Sequence, residues 1–134
     1  IGGGYNHRFG LYDMIMLKDN HIDFCGGIDK AIDAVSNYQR ENGLNLKVEV
    51  EARTLDDIKA IVAKGNIHRI MFDNFLPDEA AEAVKIVAGK YETEISGGVT
   101  LETIRPYAET GVDFISVGAL THSSVALDLS LKAF

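Results

Sequence analysis

The 134-residue chain has one cysteine, two prolines and no apolar run long enough to cross a bilayer. A single cysteine excludes an internal disulfide framework. Cys25 is read as a structural thiol, because no nucleophile-activating context surrounds it in the sequence. A reducing, cytoplasmic setting is expected. No secretory signal pattern opens the chain, and no membrane partner is expected. Low-complexity stretches and linker-like compositions are missing too, and the length fits one modest domain. Positive charge is in short supply: 13 Lys and Arg stand against 20 Asp and Glu, a formal net charge of −7. That balance argues against a nucleic-acid surface, while leaving room for a local basic pocket. The first residue is Ile1 rather than Met, and the segment Ile1-Gly2-Gly3-Gly4-Tyr5-Asn6-His7-Arg8 reads like the middle of a domain. Upstream sequence is therefore expected.

What the chain does have is a repeat of pattern. Strand-like and helix-like stretches alternate about every 20 to 25 residues, as βα units do. Strands are predicted at Met14 to Lys18, Asn45 to Glu51, Ile67 to Asp73, Glu92 to Ser96 and Asp113 to Gly118. Helices are predicted from Ile28 to Asn42, from a Thr54 cap to Gly65, and from Pro77 to about Ala88. Two more follow, from a Thr100 cap to about Thr110 and from near Ser123 to the C-terminus.

Four of the strands end in chemistry: Glu51, Asp73, Ser96-Gly97-Gly98 and Gly118. In parallel α/β folds the ligand sites lie at the carboxyl ends of strands. Residues two apart on a strand share a face. Val48 and Val50 therefore oppose Glu49 and Glu51, and Asp73 shares its face with Met71. Glu92, Glu94 and Ser96 lie on one face, as do Ser116 and Gly118, and Lys18 lies with Met14 and Met16. A doubly wound sheet would want apolar residues on both faces. One apolar face and one polar face are easier to place in a barrel, in which the carboxylates face an interior and need partners. Lys18, a metal ion or substrate hydroxyls could supply them.

In order along the chain, Gly2-Gly3-Gly4-Tyr5-Asn6-His7-Arg8, Leu17-Lys18-Asp19-Asn20-His21, Val48-Glu49-Val50-Glu51, Phe72-Asp73-Asn74, Glu94-Ile95-Ser96-Gly97-Gly98 and Ser116-Val117-Gly118-Ala119-Leu120-Thr121-His122-Ser123 together resemble the C-terminal part of the quinolinate phosphoribosyltransferases. The resemblance implies an open parallel (β/α) barrel of the type II phosphoribosyltransferase kind, with about five of its six strands in this chain. The first strand and a separate N-terminal domain would lie before Ile1, so that the chain covers roughly half of a family member and is expected to be inactive alone. The implied reaction joins quinolinate to phosphoribosyl pyrophosphate, with Mg²⁺, and releases pyrophosphate and CO₂ to give nicotinate mononucleotide for NAD biosynthesis.

By the same resemblance His7, Arg8 and Lys18 match the residues that grip quinolinate, Lys18 also counting as catalytic. Cations suit a dianionic substrate, and Arg can hold a carboxylate through two parallel hydrogen bonds. Glu51 and Asp73 match the catalytic acids that engage the ribose hydroxyls and Mg²⁺, directly or indirectly. Hard divalent cations take oxygen ligands. Ser96, Gly97, Gly118 and His122 match the pocket for the donor's 5′-phosphate, with Thr121 and Ser123 near a helix start that favours negative charge. Glu49 is read as a supporting partner of Glu51, His21 as structural and His68 as a plain surface residue. The family implies a homodimer or hexamer. Alternatives are a paralogue with a changed acceptor, ModD-like or specific for nicotinate, and a half-barrel that binds phosphate ligands without turnover.

Overall fold

Residues 3–122 of the chain are described by a computed structural model, and the element order is β1 (Met14–Leu17), α1 (Asp19–Cys25), α2 (Ile28–Asn42), β2 (Lys47–Ala52), α3 (Leu55–Lys64), β3 (Arg69–Asp73), α4 (Pro77–Val87), β4 (Glu92–Ser96), α5 (Ile104–Ala108), β5 (Phe114–Ile115) and α6 (Ala119–His122). The strands pair in the order in which they occur, and every pair is parallel. Right-handed crossovers that always advance in one direction lay their helices on one face of the sheet. A doubly wound sheet reverses direction and covers both faces; this sheet does not reverse. It is an open arc of a parallel α/β barrel, as expected from the split between polar and apolar faces.

The helix-side face carries Val48, Val50, Ala52, Ile70, Phe72 and Ile95, all buried against Ile32, Ile58, Ile61, Ala80, Ala83 and Val87. Full burial of one such aliphatic or aromatic side chain contributes about 1.5–3 kcal/mol. Thr54 caps α3 as predicted: its hydroxyl accepts from Asp57 N–H, and the Asp57 carboxylate accepts from Thr54 N–H in return.

Several boundaries differ from expectation. β1 ends at Leu17, so Lys18 becomes the residue at the start of α1, a helix that the sequence pattern did not reveal. His21 has a structural role there, its Nδ1 accepting from Lys18 N–H at 3.0 Å. Thr100 does not cap a helix. It opens a turn that Thr103 closes, and α5 begins only at Ile104. β5 has two paired residues rather than six. α6 starts at Ala119, ahead of the expected start near Ser123, which lies outside the described residues. Cys25 is exposed and free at the end of α1, so it adds nothing to the core.

Candidate active site

The concave face of the sheet carries two tiers of polar residues, and the register between strands decides which side chains meet. In the lower tier, Glu49 of β2 is opposite Arg69 of β3, and Arg69 is opposite Glu92 of β4. The Arg69 guanidinium donates from Nη1 to Glu94 Oε2 at 2.8 Å and from Nη2 to Glu92 Oε2 at 2.9 Å. Its central carbon stacks 4.0 Å from the centre of the Phe114 ring. Ser116 donates to the other oxygen of Glu94. Into this tier reaches His7, whose Nε2 lies 2.8 Å from Glu49 Oε2 and 3.6 Å from Glu94 Oε1. Glu49 is fully buried, and its Oε1 has no hydrogen-bond partner among the described residues. Burial, and then the charge of Glu94, push the Glu49 carboxyl up to about 8.

A pH dependence follows with a definite sign. The folded state holds the Glu49 proton up to about pH 8, whereas the unfolded chain releases it near the ordinary carboxylate value. Between those limits folding takes up a proton, so stability declines as pH rises, and the decline levels off above the folded value. The expected loss from pH 5 to pH 9 is on the order of a few kcal/mol. Glu49→Gln carries no such proton. Thermal unfolding across that range should slope downward in the parent protein and be flatter in the variant; parallel slopes would refute this account.

The upper tier lies at the carboxyl ends of the strands. Glu51 is nearly buried at the end of β2. Burial raises its carboxyl, the neighbouring charge of Asp73 raises it further, and Lys18 opposes both. Thus Lys18, Glu51 and Asp73, predicted from separate strand ends, share one electrostatic environment. Beyond Asp73 the chain turns sharply: Asn74 has a left-handed backbone, with φ of 57°. Its N–H donates to Ser96 O at 2.8 Å and its Nδ2 to Asp73 Oδ2 at 2.9 Å. Gly97 packs so closely on Asn74 that a Cβ there would lie 3.0 Å from the Asn74 backbone nitrogen and closer still to its side chain. Asp73, Ser96 and Gly97 are therefore one unit built around Asn74. His122 sits over Gly118, where a Cβ would come within 2.8 Å of its Nε2. Among the described residues Arg8 is not paired with an acid; its Nη1 donates to the Met14 carbonyl at 3.3 Å.

Two expectations need correction. Glu49 partners His7, not Glu51, because its side chain belongs to the lower tier. His68 is exposed but not idle: its Nδ1 accepts from Val48 N–H at 3.1 Å, at the amino ends of the strands. Sequence reasoning overlooked Arg69; it placed Glu94 and Ser116 on polar strand faces and Asn74 in a motif without giving them a role in the site. The parity of positions 69, 71 and 73 put Arg69 on the face of Asp73, a signal present in the sequence but unused. A cavity of about 470 Å³ lined by Lys47, His68, Glu92 and Asp113 opens at the amino ends of the strands, away from these acids. The upper tier is an open surface of the arc.

The family model described as "Quinolinate phosphoribosyl transferase, C-terminal domain" matches residues 1–132. The chain is 46% identical to quinolinate phosphoribosyltransferase (decarboxylating) 2b, mitochondrial, of Nicotiana tabacum, an alignment covering 98% of this chain and 42% of that protein. It is 45% identical to the probable nicotinate-nucleotide pyrophosphorylase (carboxylating) of Bacillus subtilis, covering 97% of this chain and 44% of the relative. The solved structure of NadC from Streptococcus pyogenes superposes with a TM-score of 0.88 at 39% identity, over 98% of this chain and 45% of that one. The chain thus spans less than half the length of the relatives it matches.

Proposed function

Because this chain belongs to the quinolinate phosphoribosyltransferase family, in the C-terminal domain of that family, we propose that the full-length protein carrying it transfers a phosphoribosyl group from phosphoribosyl pyrophosphate to quinolinate, with loss of CO₂. The observation that carries this reading is the upper tier: two mutually repelling acids, Glu51 and Asp73, opposed by Lys18 and joined through Asn74 to Ser96 and Gly97.

His7, Arg8 and Lys18 supply hydrogen-bond donors and positive charge for the two carboxylates of quinolinate. Glu51 and Asp73 accept from the ribose hydroxyls, and their negative charge supports the electron-poor anomeric carbon. The Gly97 backbone, Ser96, Gly118 and His122 receive the 5′-phosphate; glycine lets peptide N–H groups approach an anion closely. The paired oxygen donors of Glu51 and Asp73 fit Mg²⁺, held directly or through the substrate, and such an ion supplies charge for the departing pyrophosphate.

The pyridine nitrogen lone pair forms the new C–N bond as the bond from the anomeric carbon to the pyrophosphate oxygen breaks, its electron pair leaving with pyrophosphate. The adjacent carboxylate then departs as CO₂. Its bonding pair stays on the ring carbon beside the quaternised nitrogen, and a solvent proton completes nicotinate mononucleotide. No side chain acts as a covalent nucleophile. A cytoplasmic enzyme and an assembly of at least two full-length copies complete the proposal.

The test incubates the full-length protein with Mg²⁺, phosphoribosyl pyrophosphate and either quinolinate or nicotinate. Nicotinate mononucleotide, detected by mass, is expected from quinolinate alone and with CO₂ release. Product from nicotinate would identify a paralogue with a changed acceptor. The phosphate side has its own test in Gly97→Ala. The new Cβ would crowd Asn74, and φ of +96° is strained for alanine. The KM for phosphoribosyl pyrophosphate should rise about tenfold or more, while the KM for quinolinate changes little. An unchanged donor KM would remove Gly97 from the phosphate pocket.

A further inference from the structure

The mechanism above uses His7 but gives no work to the two acids it touches. His7 lies in an irregular segment ahead of β1, where its ring can hold one position only if something anchors it. Its one side-chain hydrogen bond among the described residues joins Nε2 to Glu49, 42 residues along the chain. Glu49 is a rigid platform: it is fully buried, in the middle of β2, between paired β1 and β3. Glu94, the second acid near the ring, is itself braced by Arg69 and Ser116. The ligand atoms of His7, Glu49 and Glu94 lie within 4.8 Å of one another, a spacing open to a metal ion. The Arg69 guanidinium, however, already brings the positive charge that balances Glu94.

We propose that Glu49, backed by Glu94, is the positioning residue for His7, gripping Nε2 from within the sheet so that Nδ1 is the ring atom left to donate to a carboxylate of an aromatic dicarboxylate substrate. The inference rests on the quinolinate reading. Nδ1 makes no hydrogen bond within the described residues, while Nε2 is engaged. A hydrogen bond at one imidazole nitrogen sets what the other can do. A positioning acid in the lower tier also accounts for a fully buried carboxyl that substrate need not touch.

The test uses the full-length protein and three variants, Glu49→Met, Glu49→Gln and His7→Ala, together with the His7→Ala/Glu49→Met pair. Methionine matches the volume without forming a strong hydrogen bond. Glutamine can still hold Nε2 through its amide, donating N–H where the protonated Glu49 carboxyl donates O–H. The KM for quinolinate should rise about tenfold in Glu49→Met and less in Glu49→Gln, with the KM for phosphoribosyl pyrophosphate within about twofold. The double variant should be no worse than His7→Ala alone, since Glu49 acts through that ring. Parallel rises in both KM values, or additive losses, would overturn the proposal. So would a stoichiometric divalent ion present in the parent and lost from Glu49→Met. If Glu49→Met fails to fold, Glu49→Gln carries the same comparison. Imidazole ¹⁵N spectra give a readout that needs no turnover, and this chain contributes four histidines to assign. The His7 signals should move in Glu49→Gln while those of His21, His68 and His122 stay. A still His7 signal refutes the clamp even in an active enzyme. A moved one upholds it even if quinolinate proves not to be the substrate.

Discussion

Alanine at Glu51 or at Asp73 in the full-length protein is expected to lower kcat by about 10²–10³-fold, with the fold intact. The two acids sit at the ends of neighbouring strands, β2 and β3, and the charge of Asp73 raises the Glu51 carboxyl. Like charges held together cost stability in the resting protein, only partly offset by Lys18, and gain a further favourable partner when a cation or an electron-poor sugar carbon arrives. Removing one acid therefore relieves the other, and thermal unfolding of either variant should be unchanged or slightly later. That outcome separates loss of catalysis from loss of structure. Because both acids serve one charge, the double variant should be little worse than the poorer single one. Steady-state kinetics with Mg²⁺ and phosphoribosyl pyrophosphate, beside a melting curve, check all three statements. If both single variants kept their turnover, the assignment of these acids to the reaction would be wrong.

Much of the fold was legible because local rules and tertiary packing agree in it. α2 runs from Ile28 to Asn42 as its apolar spacing predicts, and α3 starts where the Thr54-Asp57 capping box places it. β4 spans Glu92–Ser96 as expected. α1 was not legible for a physical reason. It buries one residue, Ile22, so its seven positions carry no apolar stripe; its evidence is Asp19 in the first turn and the left-handed Gly26 after the last. β5 was overextended because Asp113 to Gly118 alternates convincingly, yet the strand has a partner on one side only, β4, within the described residues. The upper tier could be read from strand ends alone, since a carboxylate or glycine after an apolar run is a local signal. The lower tier could not. Its contacts join His7 to Glu49 and Arg69 to Glu92 and Glu94, and those pairings follow from the register of β2, β3 and β4, which no window of one strand contains.

Replacing Arg69 with methionine is expected to destabilise the protein by about 3–5 kcal/mol at neutral pH and above. Arg69 reaches two carboxylates of the lower tier, binding Glu94 and Glu92, and its charge also counts in favour of ionised Glu49. Glu94 and Glu49 are both almost wholly out of water. Without the guanidinium they are left as buried acids whose ionised forms have lost their counter-charge, and stacking on Phe114 is lost as well. The charge component of the deficit has a sign in pH. Arg69 holds the Glu49 carboxyl lower than it would otherwise lie, so losing it raises the folded-state value, and the variant's stability is best preserved at low pH and falls further behind as pH rises. Urea unfolding at pH 5.5 and pH 8.5 should show a small deficit at the lower value and a large one at the higher. Adding Glu94→Gln to Arg69→Met should recover a substantial part of the loss at pH 8.5, because it removes the stranded charge. A deficit of equal size at both pH values, with no recovery in the double variant, would assign Arg69 to packing over Phe114 and take away the electrostatic account of the tier that supports His7.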